Sequence, residues 1–197
     1  MKQLRTFQAI DMAKAFAIVN VFETGRPFGG FASLAVLNDG AGISYGISQF
    51  THRSGALFEV VSRYMAGVDS PEQRVIHESL PLLSFSDERS IRTAAADRRL
   101  KQALVAAAST SGMRRAQIEV AFSRYLAPAI AACAGSDFHL PLSLAVIYDS
   151  INHGSYENIR DRVSIAGLTD ADAGRFEREW IASYVTTRHL WLGRVAR

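Results

Sequence analysis

The sequence predicts an α+β fold, predominantly α-helical, in which a small β-hairpin region lies beside a helical bundle with a cleft between them. Three observations carry this. Apolar residues recur at helical spacing over most of the chain, a glycine-dense stretch over residues 25–55 interrupts them with β-forming runs, and no repeat, low-complexity tract or Gly/Ser linker divides the 197 residues. One domain over 1–197 is therefore expected. Its small β-containing lobe covers about residues 23–55, and its helical lobe covers about 56–192 together with the N-terminal helix.

Taken in order, Leu4, Phe7, Ile10, Phe16 and Val19 form the apolar stripe of a first helix that runs close to Glu23. FASLAVL and ISYGISQF then flank Asn38-Asp39-Gly40, a turn signature between two strands. Helical patterning follows over residues 56–66, 72–82, 87–108, 114–133, 142–152 and 171–192. Ser86 before Asp87 and Glu88 reads as an N-cap, as does Thr169 before Asp170 and Asp172. Pro71, Pro81 and Pro141 mark places where segments begin or stop. Phe176, Trp180, Tyr184 and Trp191 read as core aromatics.

Composition narrows the function classes. At 48% hydrophobic and 21% charged the chain has the balance of a compact folded protein. Cys133 is the only cysteine, so no internal disulfide or cysteine-based zinc site can form, and AIAACAG is the setting of a buried, inert thiol. The net charge of +3 rests on nineteen arginines and three lysines. Arginine suits bidentate contacts to carboxylate or phosphate, and the same bias also follows from a GC-rich genome. No run of five like charges provides the basic stripe of a nucleic-acid binder. No charge-free stretch, residues 125–136 among them, is long enough to cross a bilayer. MKQLRTFQAIDMAKAF carries charge throughout and does not read as a signal peptide, so synthesis in the cytoplasm is expected, with any outside target reached by another route. His52, His77, His139, His153 and His189 have no metal-ligand spacing, and neither GxGxxG nor a Walker motif is present. Neither metal nor cofactor is expected.

Two carboxylates stand out. Glu23 follows an apolar run at the negative end of the first helix, a setting that disfavours its ionised form and suits a general acid. Asp39 sits in a polar turn, where solvent and backbone N–H groups keep it ionised. Two carboxyls whose surroundings push their pKa values apart are what glycoside hydrolysis requires, while the plainer reading makes one a helix-end residue and the other a turn residue. Gly42-Ile43-Ser44-Tyr45-Gly46 also matches the G-x-S-x-G nucleophile elbow, with Asp149 and His153 or His189 downstream. Against it, Ile47-Ser48-Gln49-Phe50 continues a strand where the elbow needs a helix.

The run Asn38-Asp39-Gly40-Ala41-Gly42-Ile43-Ser44-Tyr45-Gly46-Ile47-Ser48-Gln49-Phe50 resembles the signature of the family 46 chitosanases, approximately D-G-R-G-Y-T-x-G-I-x-G-F. The sixteen-residue separation of Glu23 and Asp39, the segment Ser54-Gly55-Ala56-Leu57-Phe58-Glu59-Val60-Val61, and Ala145-Val146-Ile147-Tyr148-Asp149-Ser150 with His153-Gly154 resemble the same family. The resemblance covers the N-terminal third and one later helix. It implies a lysozyme-like glycoside hydrolase with an inverting mechanism. Glu23 would be the general acid, Asp39 the general base, and Ser44 the hydroxyl that helps hold the attacking water where the family has threonine. Asp149 would be the buried aspartate that supports the catalytic glutamate, with Arg188 as its partner, and Tyr45, Gln49, His52 and Arg53 would face substrate.

One departure concerns the substrate. The family has an amine-binding aspartate where this chain has Ala56. A basic chain without that carboxylate fits an anionic wall polymer better than cationic chitosan, so the leading expectation is a muramidase cleaving the β-1,4 bonds of peptidoglycan. A chitosanase is the alternative, and a non-catalytic glycan-binding module a further one. The expected partners are the polysaccharide, a delivery route such as phage-type release or specialised secretion to the cell wall, and an immunity or inhibitor protein. Neither nucleic acid nor a membrane span is expected, and the chain is expected to be a monomer.

Overall fold

The computed structural model describes residues 7–25, 27, 30–65, 70–163 and 173–195; the side chains of residues 22–24 are outside the description. Leu4 and the Thr169, Asp170 and Asp172 capping signal therefore lie outside the described residues. The elements are α1 (Ala9–Thr24), β1 (Leu34–Leu37), β2 (Gly42–Tyr45), β3 (Phe50–Thr51), α2 (Ala56–Tyr64), α3 (Pro71–Leu83), α4 (Glu88–Ala96), α5 (Arg98–Ala107) and α6 (Ser111–Ala121). A π-helical turn, Phe122–Leu126, leads to α7 (Ala127–Gly135), α8 (Pro141–Asn152), α9 (Tyr156–Arg160) and α10 (Ala173–Val195). The fold is α+β and mainly helical, with one three-stranded antiparallel sheet in the order β1-β2-β3. Among the described residues no helix is long and apolar enough to cross a membrane.

The chain divides into two compact units, Thr24–Phe122 and the pair of segments Met1–Glu23 and Ser123–Arg197. The expected boundary near residue 55 is not where the division falls. Helices α2 to α6 belong with the sheet, because α2 and α4 pack directly on β2 and α6 packs on α2.

In the 24–122 unit, Leu34 pairs with Tyr45 and Leu37 with Gly42, which closes the Asn38–Ala41 turn, and Ser44 and Tyr45 pair with Thr51 and Phe50. All four residues of β2 are buried, so both faces of this short strand meet protein. Ile43, Tyr45, Ile47, Phe50, Leu57, Val60, Leu104 and Met113 are core residues. Gln117 of α6, wholly buried, accepts a hydrogen bond from Ile47 N–H at 3.1 Å and donates to the Phe31 carbonyl at 2.9 Å, tying helix to hairpin. Gly46 has φ +78°, and a Cβ there would stand 2.3 Å from Gln117 Oε1. Gly46→Ala is therefore expected to lose roughly 3 kcal/mol, from left-handed strain plus the displaced amide, read as a lower urea midpoint at unchanged slope.

Three local expectations are corrected. Asp87, not Ser86, caps α4; its carboxylate accepts from Arg89 and Ser90 N–H groups, a reach that the residue before it lacks. The span over 87–108 is two helices, because Asp97 ends α4 and caps α5 by accepting from Leu100 N–H. Pro81 lies inside the last turn of α3, whereas Pro71 and Pro141 do occupy first-turn positions.

In the other unit, α8 packs against α7, α9 and α10. Its cluster includes Ala15, Val19, Cys133, Phe138, Leu144, Ile147, Tyr148, Ile159 and Tyr184. Trp180 stacks on Tyr184 at 5.1 Å and packs obliquely on Phe138 at 5.2 Å. The fully buried Cys133 thiol is pushed up to about 12 by desolvation, and it is inert. Phe176 is more exposed than its reading as core implies, at 36%. The N-terminus of α8 has Leu140 as its cap residue, which has no acceptor. Glu177 of α10 supplies one: its buried carboxylate accepts from His139 N–H, Leu140 N–H and Ser143 Oγ–H at 2.6–2.9 Å.

Candidate active site

The turn between β1 and β2 carries Asp39. The β1–β2 register leaves Asn38, Asp39, Gly40 and Ala41 between the last paired residues, so Asp39 is exposed at the tip of a hairpin. Its Oδ1 accepts the Ala41 N–H at 2.9 Å, an Asx turn that fixes the carboxylate against its own loop while leaving it in contact with solvent. Gly40, at φ +77°, permits the turn. Ser44 lies five residues on, within β2, and is 5% exposed. A mid-strand position is incompatible with the strand–turn–helix geometry of a nucleophile elbow, and the serine-hydrolase reading is set aside.

Of the four residues expected to face substrate, two are corrected. Tyr45 and His52 have no exposed surface. The Tyr45 hydroxyl donates to the Leu104 carbonyl, and desolvation raises its pKa well above the ordinary value. His52 Nε2 lies 2.9 Å from the Phe85 carbonyl; a carbonyl only accepts, so Nε2 carries the proton. Burial holds this imidazole below its ordinary pKa, against the opposing effect of that hydrogen bond. Both residues brace the hairpin from within. Gln49 is half-buried at φ +46°, its amide donating to the Gly46 carbonyl, and Arg53 is exposed, its Nε donating to the Gly40 carbonyl at 2.6 Å.

In the other unit, Asp149 of α8 accepts from Arg188 Nη1 of α10, with one oxygen on each partner: Oδ2 on Arg188 and Oδ1 3.3 Å from His153 Nδ1. His153 Nδ1 also donates to the Asp149 backbone carbonyl at 2.8 Å. Burial by itself would raise the Asp149 pKa, but the hydrogen bonds and charges of His153 and Arg188 outweigh it and hold the carboxyl below its usual value. Arg188 Nε is buried with no hydrogen-bond partner among the described residues. The pair borders a largely apolar cavity of about 320 Å³, lined also by Ile18 and Val19 of α1, Leu142 and Ala145 of α8, and Val185 of α10. Glu23 lies in α1 one turn beyond Val19; its side chain is outside the description. The sequence offered His153 as a candidate member of a serine triad and as part of the family resemblance, with no contact to Asp149 assigned; its place at i+4 from Asp149 was the available signal for the contact.

Solved structures similar to this chain include a chitosanase mutant from Bacillus subtilis MY002 complexed with 6 GlcN, at 22% identity and TM-score 0.79, covering 92% of this chain and 77% of that one. Another is the GH46 chitosanase of Gynuella sunshinyii in complex with chitotetraose, at 23% identity and TM-score 0.79, covering 93% and 77%. No curated protein matches the sequence. The model of Glycosyl hydrolase family 46 matches residues 17–196, a span that takes in Glu23, Asp39, Ser44, Asp149 and Arg188. With that match covering most of its length and a lysozyme-like fold beneath it, the chain belongs to glycosyl hydrolase family 46 and is a glycoside hydrolase.

Proposed function

We propose that the enzyme hydrolyses the β-1,4 bonds of a glucosamine polymer of the chitosan type, with Glu23 as general acid and Asp39 as general base in an inverting displacement. The observation that carries the reading is the family match, which contains both carboxylates, together with solved relatives that hold glucosamine oligomers. Asp39 is suited to its role: an exposed carboxylate on a fixed turn keeps acceptor capacity for a water proton. Ser44, five residues on within β2, supplies a hydroxyl to help hold that water. The Asp149–Arg188 pair supports the acid, since Arg188 retains the buried Nε donor and borders the cavity that α1 also lines.

A second reading, hydrolysis of peptidoglycan, is favoured by Ala56. It is fully buried at the start of α2, so this position offers substrate no carboxylate for a cationic amine. On that reading the site of action is the cell wall, and delivery and inhibitor proteins would follow. Mass spectrometry of products from parallel digests of chitosan and purified peptidoglycan decides between the two. Glucosamine oligomers from chitosan alone are expected; muropeptides with reducing N-acetylmuramic acid ends from peptidoglycan alone would replace the first reading by the second.

A further inference from the structure

Among the described residues, the loop that carries Asp39 is held from outside by hydrogen bonds from Arg53. Arg53 reaches it twice: the backbone N–H donates to the Ala41 carbonyl at 3.1 Å, and side-chain Nε donates to the Gly40 carbonyl at 2.6 Å. The guanidinium lies so close over the turn that a Cβ on Gly40 would stand 3.1 Å from Nη2. Arg53 has an anchor of its own. The preceding residue, His52, is wholly buried, with its N–H on the Ile43 carbonyl at 2.9 Å and Nε2 on the Phe85 carbonyl. Residues 51–55 form a tight turn around it, in which Thr51 Oγ1 donates to Ser54 Oγ at 2.8 Å and Gly55 N–H donates to the His52 carbonyl at 3.0 Å. A rigid buried imidazole, an arginine and the 38–41 turn thus form one continuous linkage.

Resting on the assignment of Asp39 as general base, we propose that Arg53 is a positioning residue for it. By clamping Gly40 and Ala41, the residues whose backbone closes the Asx turn, it sets the direction of the carboxylate toward the attacking water. A four-residue hairpin loop with an exposed tip has few other restraints, and small displacements of a catalytic group are costly, about 100-fold for 1 Å. The clamp uses Nε, a donor that lysine does not have at that place along its stem.

The test compares Arg53→Ala, Arg53→Lys and the intact enzyme. In Arg53→Ala the Ala41 amide, which donates to Asp39 Oδ1, is expected to exchange with deuterium at least tenfold faster, while core amides such as Ile43 are unchanged. On the cleaved glycan kcat is expected to fall roughly 10- to 100-fold with KM within about twofold. Guanidinium ion added to Arg53→Ala should recover part of kcat and none in Asp39→Asn, and Arg53→Lys should resemble Arg53→Ala. Unchanged Ala41 exchange overturns the proposal, as does full kcat in Arg53→Lys or a loss confined to KM, which would make Arg53 a substrate contact. If the intact protein cleaves no glycan, the functional reading fails separately, and the exchange comparison still decides whether the clamp exists.

Discussion

Asp39→Asn is expected to lower glycan hydrolysis about 10²- to 10⁴-fold, the range of a lost general base, without lowering stability. The substitution separates chemistry from structure because of the Asx turn. The asparagine carbonyl can accept the Ala41 N–H as Oδ1 does now, so the turn, the hairpin register and the Arg53 contact to Gly40 are retained. What disappears is the capacity to take a proton from water. Glu23→Gln should produce a loss of similar size for the opposite reason, since an amide cannot protonate a leaving glycosidic oxygen. Reducing-end release measured beside urea midpoints tests both. Activity above a tenth of the unsubstituted rate in either variant would remove that carboxylate from the mechanism. The first product anomer, observed by NMR before mutarotation, should be inverted.

Asp149→Ala is expected to destabilise the protein by roughly 2–4 kcal/mol, near the lower part of the range for breaking a largely buried ion pair. The cost falls mainly on Arg188. Its side chain is 17% exposed, its Nε is already without a partner among the described residues, and losing Asp149 leaves a cation with little water and little hydrogen bonding. Arg188→Met in the same chain should recover much of the loss, and the double-mutant cycle built from urea midpoints measures the coupling. The pH dependence has a definite sign. The folded Asp149 pKa lies below the ordinary 3.8, so its stabilising contribution is complete above that value and disappears as pH falls through the lower folded value. His52 acts over a higher window. Its folded pKa lies below 6.5, so acidification through 6.5 charges the unfolded imidazole first and weakens the fold.

Sequence patterns revealed the hairpin and most helices because their signals are local. Pro71 announces α3, and Asn38-Asp39-Gly40 announces the turn. They failed at Tyr45 for a specific reason. Alternation along a strand separates inward from outward residues only when one face meets water, and β2 is covered on both. The Tyr45 hydroxyl reads as a surface group, although it is spent on the distant Leu104 carbonyl, and His52, just past the end of β3, is spent likewise on the Phe85 carbonyl. The Gln117 brace was equally hidden, since its partners lie 70 and 86 residues away. A faint signal did exist for Glu177: Pro141 opens a helix whose preceding residue, Leu140, cannot cap it, so an acceptor had to arrive from elsewhere. The Asp149–Arg188 contact was legible only through family resemblance, because 39 residues separate the partners.

The Glu177 cap bears on the order of events during synthesis. The 24–122 unit is one continuous stretch and can consolidate as soon as it has been made. The other unit joins the first helix to everything after residue 122, and the start of α8 gains its carboxylate only once α10 exists, 34 to 38 residues later. Completing that unit therefore waits for the C-terminal helix. On the ribosome, a nascent chain can thus present the folded Asp39 hairpin before α10 has been made to complete the other unit.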